Sequence, residues 1–388
     1  MEWVRLRDIG KIVTGNTPPT SKPEFYGDYM PFIKATDISL DSKTTLVTEQ
    51  SYSKRASEKY KESLVPKGST CVVTIGSIGK KMTYAHKDLF VNQAINAIIP
   101  SPKYDNEYIY YNVKYSVLPQ LKKLDSGTTS GRENVSKSSF SNIRIPIVKD
   151  KNIQHRIASI LSTYDSLIEN NAKRIRLLEK MAENLYKEWF VRFRFPGHES
   201  VEMENGLPKG WKRGSLSDVC EFKRGKNITS SEMQEGNVPV ISAGLEPSGY
   251  HSCSNVRGVN VTMSSSGANA GYIAIHYSDI WAADCSYIEE STTGNIYYVY
   301  ELLNNIRTVI NNFQRGAAQP HVYPKDVNRI KLILPSKELM LKANGRLEIM
   351  HKEIYNLQKQ NSLLARQRDL LLPRLMSGKL EVKEELLE

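Results

Sequence analysis

The sequence predicts an α+β fold in which two pseudo-symmetric α/β globular domains are separated by two long antiparallel coiled-coil helices. Three observations predict it. Short β-like runs punctuated by Gly, Ser, Asn and Pro fill residues 1–150 and again residues 208–335. A motif recurs between them: Asp8 and Gly15 in D-I-G-K-I-V-T-G match Asp218 and Gly225 in D-V-C-E-F-K-R-G at an offset of 210 residues. Two heptad seams follow the domains in the same phase, offset by 186 residues.

In the first domain, residues 1–150, the runs M-P-F-I-K-A, T-C-V-V-T-I and N-A-I-I-P read as strands. Asp105 to Leu124 reads as a helix with Tyr108, Tyr111, Val117 and Leu121 on or near one face. I-R-I-P-I (Ile143 to Ile147) parallels I-K-L-I-L-P (Ile330 to Pro335), and each segment closes a domain. Each copy of the motif also follows a tryptophan (Trp3, Trp211) and a leucine (Leu6, Leu216).

Residues 151–195 form the first helical segment. Ile157, Leu161, Tyr164, Ile168, Asn171, Ile175, Leu178, Ala182, Leu185 and Trp189 alternate spacings of four and three, which is a coiled-coil seam. The second segment, residues 336–378, places Ala343, Leu347, Met350, Ile354, Leu357, Asn361, Leu364, Arg368, Leu371 and Leu375 at the same rungs. A helix of ~33 residues spans ~50 Å, more than a small domain needs. Two matched helices most simply pack antiparallel, although each could instead pack on its own domain. One Asn interrupts each seam, and Arg368 marks its end as frayed or as facing another protein.

Residues 196–207 are punctuated by Pro196, Gly197 and Gly206, which predicts an irregular linker. The second domain, residues 208–335, repeats the first. Val238–Ser242, Val259–Met263, Tyr272–Ile275 and Ser286–Ile288 read as strands, followed by a helix from about Ile296 to Phe313. A charged tail, residues 379–388, ends the sequence.

Candidate contact residues lie in loops where small residues adjoin hydrogen-bonding groups. Glycine lets backbone approach a ligand closely, and Arg, Lys, Asn, Gln and hydroxyl side chains suit phosphates and base edges. In the first domain these are Lys34 and Thr36, then Ser77, Lys80 and Lys81 in T-I-G-S-I-G-K-K. Thr128, Thr129, Ser130, Arg132 and Asn134 follow in S-G-T-T-S-G-R-E-N. In the second domain they are Arg224 and Lys226 around Gly225, then Ser265, Ser266 and Asn269 in S-S-S-G-A-N-A-G. Arg315, Gln319 and His321 in R-G-A-A-Q-P-H complete the set.

The formal charge of +11 suits a polyanionic partner such as DNA. It is unevenly spread: residues 1–150 carry 22 Lys and Arg against 15 Asp and Glu, residues 198–335 carry 12 against 14. Contact by the second domain must therefore come from local clusters. The four cysteines form no C-x-x-C pair and the histidines show no zinc-ligand spacing, so no bound metal or cofactor is expected. No phosphate loop is present: Gly76-Ser77-Ile78-Gly79-Lys80 is too short and Lys81 follows it. Asn16-Thr17-Pro18-Pro19 has the wrong spacing for an amino-methyltransferase motif. With no signal sequence or membrane span, a cytoplasmic protein without catalytic machinery is expected.

Several motifs carry a family resemblance. Gln154-His155-Arg156-Ile157-Ala158-Ser159-Ile160-Leu161 resembles the Q-x-x-I-A-x-I-L opening of a conserved helix in Type I restriction–modification specificity subunits. The run Leu185 to Gly197 resembles its L-Y-x-x-W-F-V-x-F-x-F-P-G close, and Gln367 to Gly378 resembles the end of the second such helix. Gly15-Asn16-Thr17-Pro18 is similar to the G-x-T-P early in many target recognition domains of that family. The resemblance implies that each domain reads half of a bipartite site in double-stranded DNA. It implies helices that set the spacer and dock two modification (methyltransferase) subunits. In that role Ile157, Leu161, Ile168, Ile175, Leu178, Leu185 and Trp189 would act with Leu347, Ile354, Leu357, Leu364, Leu371 and Leu375. It further implies S-adenosylmethionine on those partners, and ATP and Mg with added restriction (motor-nuclease) subunits. A stand-alone DNA-binding regulator and a coiled-coil scaffold without DNA binding are the alternatives.

Overall fold

The computed structural model describes residues 1–40, 42–125, 133–316 and 320–382. It divides into two compact units, unit 1 with residues 1–172 and 359–388 and unit 2 with residues 173–358. Each unit thus combines one globular domain with a stretch of both long helices.

Unit 1 contains β1 (Glu2–Arg5), β2 (Gly10–Thr14), β3 (Tyr26–Gly27), β4 (Met30–Ile33) and β5 (Gln50–Tyr52). It continues with β6 (Thr70–Val73), β7 (Met82–Tyr84), β8 (Phe90–Val91), β9 (Ile95–Pro100) and β10 (Arg144–Ile147). One antiparallel sheet runs β2-β9-β6-β7, a second runs β3-β5-β4-β8 with β4 and β8 parallel, and β1 pairs with β10.

In unit 2 a short hairpin of β11 (Met203–Glu204) and β12 (Leu207–Pro208) precedes β13 (Lys212–Ser215), β14 (Lys223–Arg224), β15 (Val238–Ile241) and β16 (Gly249–His251). Then come β17 (Asn260–Ser264), β18 (Ile273–His276), β19 (Trp281–Ala282), β20 (Cys285–Glu289) and β21 (Lys331–Leu334). The sheets β14-β20-β17-β18, β16-β15-β19 and β13-β21 reproduce unit 1 except for β3, including a parallel β15–β19 pair.

The repeated motif has a physical cause at each position. Asp8 and Asp218 accept the backbone N–H of Arg5 (3.2 Å) and Ser215 (2.7 Å), closing the first turn after the opening strand. Leu6 and Leu216 are fully buried beneath that turn. Gly15 and Gly225 pass against another backbone: a Cβ would lie 2.0 Å from the Val91 carbonyl oxygen and 2.4 Å from that of Ala283. The tryptophans are not equivalent, contrary to the sequence match. Counting from Leu6 and Leu216 sets Trp211 against Met1. Trp3 is 59% exposed, whereas Trp211 packs on Phe190, Phe193 and Phe195.

The first long helix spans Lys151–Tyr186 and continues in a π turn through Val191; the second spans Lys337–Met376. Every seam residue is buried or half-buried. Contacts within each unit run antiparallel: Asp165 meets Arg368 and Asn171 meets Gln360 in unit 1, while Arg174 meets Glu353 and Trp189 meets Arg346 in unit 2. Both helices feed the domain cores. Ile157, Leu161, Leu372 and Leu375 share a cluster with Tyr108, Val117 and Ile145. Ala182, Trp189, Ala343 and Leu347 share one with Val261, Tyr298 and Leu302.

Three expectations are corrected. Arg368 is neither frayed nor outward-facing: it pairs with Asp165 at 2.5 Å, their side chains 12% and 5% exposed. Tyr111 donates to the other carboxylate oxygen at 2.5 Å, and burial followed by the Asp165 charge holds its hydroxyl well above the ordinary value. The linker contains a tight hairpin, because Asn205 and Gly206 both take positive φ, as a two-residue turn requires. The helices expected over 105–124 and 296–313 are segmented. The first is α-helical over Asn106–Asn112, with a π turn at Val113–Val117, and the second breaks at Ile306.

The Asp165–Arg368 pair yields a stability test. Arg368→Met alone strands a buried carboxylate and should cost about 3–5 kcal/mol in denaturant unfolding. Adding Asp165→Leu should recover more than half of that loss, since both charges are then gone.

Candidate nucleic-acid interface

The backbone first fixes which loops meet. In unit 1, Asn92 N–H donates to the Ile33 carbonyl (3.0 Å), tying the turn after β8 to the end of β4. Thr74 N–H donates to Ala94 O (2.8 Å), Val135 N–H to Thr74 O (2.8 Å) and Gly76 N–H to Glu133 O (2.9 Å). Four segments therefore share one end of the domain: 34–37, 74–81, 92–94 and 133–135.

Unit 2 repeats these bonds nearly one for one. Ala283 N–H donates to Ile241 O (2.8 Å), Val322 N–H to Ser265 O (3.0 Å) and Gly267 N–H to Pro320 O (3.0 Å). The isolated bridge Ile75–Asn134 in unit 1 has its counterpart in Ser266–His321. A carbonyl in the same place accepts in both units: Ala35 O from Lys81 Nζ (3.1 Å), and Ala243 O from Ser264 Oγ (3.0 Å).

On this shared frame the side chains differ. Lys34 sits 2.7 Å from Glu49, and its backbone N–H is held by Asp37. Thr36, Ser77 and Lys80 are exposed, and Asn134 is half-buried beside Ile75. Lys81 serves as an internal anchor through Ala35. In unit 2, Arg224 and Ser266 converge on Asp284, at 3.0 and 2.5 Å. Arg315 pairs with Asp326 at 2.9 Å and exchanges two backbone hydrogen bonds with His321. Lys226 is exposed, while Asn269 reaches back toward Ala243 O at 3.5 Å. Burial pushes the Cys285 thiol beneath this loop up to about 12, so it stays protonated.

Ser265 and Ser266 are corrected as contact residues: they are 1% and 7% exposed, because their loop folds down onto residues 320–322. Thr128, Thr129, Ser130, Arg132 and Gln319 lie outside the described residues. Two residues at this end were missed. Gln93 is exposed and bonded to Thr17 of the G-N-T-P run; Asp284 organises Arg224 and Ser266. Both follow the short parallel strand, and one fewer residue separates that strand from the next in unit 2, which hides the correspondence in the sequence.

Among the described residues no three His, Cys, Asp or Glu side chains are placed to hold a metal ion, and no helix is long and apolar enough to cross a membrane. A duplicated loop surface on a duplicated fold, with a helical seam in each copy, defines a two-domain recognition protein. Residues 1–180 and 208–361 match the model of the Type I restriction modification DNA specificity domain. The chain belongs to this family and is a non-catalytic DNA sequence-specificity subunit. It is 26% identical to the Type I restriction enzyme MjaIX specificity subunit of Methanocaldococcus jannaschii, over 98% of this chain and 93% of that one. A putative type I specificity subunit of Mycoplasma genitalium is 27% identical over 80% of this chain and 81% of its own. The fold matches the crystal structure of a Type I restriction-modification S subunit from M. genitalium, with TM-score 0.63 and 22% identity over 96% of each chain.

Substitution of two exposed residues, Lys226 and Gln93, has different expected effects. Lys226→Ala should weaken binding to all duplexes alike and reduce the slope of log affinity against log salt by about 1. Gln93→Ala should instead relax preference at one base pair of one half-site, by about 1–3 kcal/mol, in a binding assay over a randomised site library.

Proposed function

We propose that each globular domain reads one half of a bipartite DNA site, while the paired helices set the gap and dock two modification subunits. The single observation that carries this reading is the divergence of side chains on a conserved loop frame. Lys34 and Gln93 in unit 1 occupy the region held in unit 2 by Asn269, Asp284 and Arg224. Phosphate contacts position such a surface and base contacts specify it, so two unlike surfaces would read two unlike sequences. Linking two modest readers raises affinity through effective concentration.

Docking is supported by apolar side chains left exposed on the long helices, among them Leu177 (63%), Ile349 (72%) and Leu363 (59%). Members of this family work in complexes with DNA and other subunits. For this chain the partners would be two methyltransferase subunits that bring S-adenosylmethionine. Restriction subunits, using ATP and Mg, would complete a cleaving assembly.

Exchange of residues 208–335 for the same domain of another specificity subunit tests the reading. Sites methylated by the reconstituted complex should change in one half and keep the other half unaltered. A change in both halves, or in neither, would contradict independent half-site readers.

A further inference from the structure

The two units differ sharply at one interior place. In unit 1 the space beside β7, the helix Asn106–Asn112 and the long helices is filled by two of the chain's own cations. Lys43, 7% exposed at its side chain, puts Nζ 2.8 Å from Glu107 and 4.9, 5.6 and 5.1 Å from the rings of Tyr84, Tyr110 and Tyr111. Arg368 lies against Asp165, which also holds Tyr111. An ammonium in an aromatic cage closed by a carboxylate is a favourable arrangement.

Unit 2 has lost both cations. The helix offset of 186 puts Ala182 where unit 1 has Arg368, and His351 where it has Asp165. Lys43 belongs to the 34–49 segment between β4 and β5; the corresponding β15–β16 connection is only residues 242–248. Counting from the helix N-caps Asp105 and Asn295, Tyr300 replaces Tyr110 and Glu301 replaces Tyr111. Beside these positions lies a cavity of about 650 Å³ lined by Glu179, Glu183, Glu301, Tyr277 and Tyr300.

Three carboxylates, Glu179, Glu183 and Glu301, line this cavity. Lys187 is the one Lys or Arg among its described lining residues, and Glu183 takes it. His351 Nε2 lies 3.2 Å from Glu301 and Nδ1 lies 2.9 Å from the Tyr277 hydroxyl. Burial pushes the Glu179 carboxyl up, against the opposing charges of His351 and Arg176 and with that of Glu301.

We propose that this cavity binds a small organic cation, an alkyl ammonium or guanidinium compound, in the place of the two side chains that unit 2 lacks. Carboxylates would accept its N–H groups while the Tyr277 and Tyr300 rings cover its apolar stem. The site is independent of the DNA-reading role.

Calorimetric titration of the full chain, free of DNA and at fixed ionic strength, with agmatine and with spermidine tests this. One saturable site is expected for at least one amine. Glu179→Gln should weaken it by about tenfold or more. Ala182→Arg, which restores the guanidinium of unit 1, should abolish it. Glu246→Gln, on an exposed loop outside the cavity, should leave it unchanged. Circular dichroism establishes that each variant is folded, and Glu179→Gln alone suffices if Ala182→Arg does not fold. No saturable uptake of either amine, or uptake indifferent to Glu179→Gln, overturns the proposal.

Discussion

Neither globular domain closes its core without both long helices, and this constraint governs the rest of the structure. In unit 1, Leu161 and Leu375 come from helices far apart in sequence, yet both pack with Tyr108 and Val117. In unit 2, Trp189 and Leu347 do the same beside Tyr298 and Leu302. The seam is therefore both a coiled-coil interface and a wall of each domain. A side chain changed there affects helix pairing and domain packing together, so the two cannot vary independently. The short antiparallel sheets supply the remaining walls, and Gly15 and Gly225 let the two larger sheets of each domain join where a Cβ would collide with backbone.

Duplication has preserved backbone bonds and released side chains. The loop ends of both domains are knitted by matching main-chain hydrogen bonds, which carry no sequence information and so survive divergence. The side chains on that frame have diverged freely. Lys81 anchors one loop through Ala35 O, whereas Ser264 does so in the other through Ala243 O. The interior shows the same pattern: Tyr111, Asp165 and Arg368 form a closed polar network in unit 1, and Glu301, His351 and Tyr277 form a different one in unit 2.

Periodic features were legible in the sequence and singular ones were not. The heptad seams could be read because a helical period over many residues leaves a repeating apolar trace. The Asp–Gly motif was visible, but its reason, a capped turn followed by a close backbone crossing, is tertiary. Trp3 and Trp211 show the limit of local matching, since distance from the buried Leu6 and Leu216, not residue type, decides which positions correspond. Arg368 read as a flaw in an apolar stripe because its partner Asp165 lies on the other helix. Ser265 and Ser266 sat in a Gly/Ser-rich stretch that pointed to an exposed loop, and a distant segment covers them. Gln93 and Asp284 escaped notice because one residue fewer after the parallel strand shifts the two copies out of step.

If helix length sets the distance between half-sites, lengthening both helices by one heptad must lengthen the gap. Seven residues preserve the seam phase and add ~10.5 Å at ~1.5 Å per residue. Along duplex DNA that is ~3 base pairs, with a rotation of roughly 100° between half-sites. The direct measurement is the preferred gap of such a variant in a library with both half-sites fixed and the spacer varied. The preferred spacer should grow by about 3 base pairs. Tight binding that retains the original spacer would show that the helices are not the ruler.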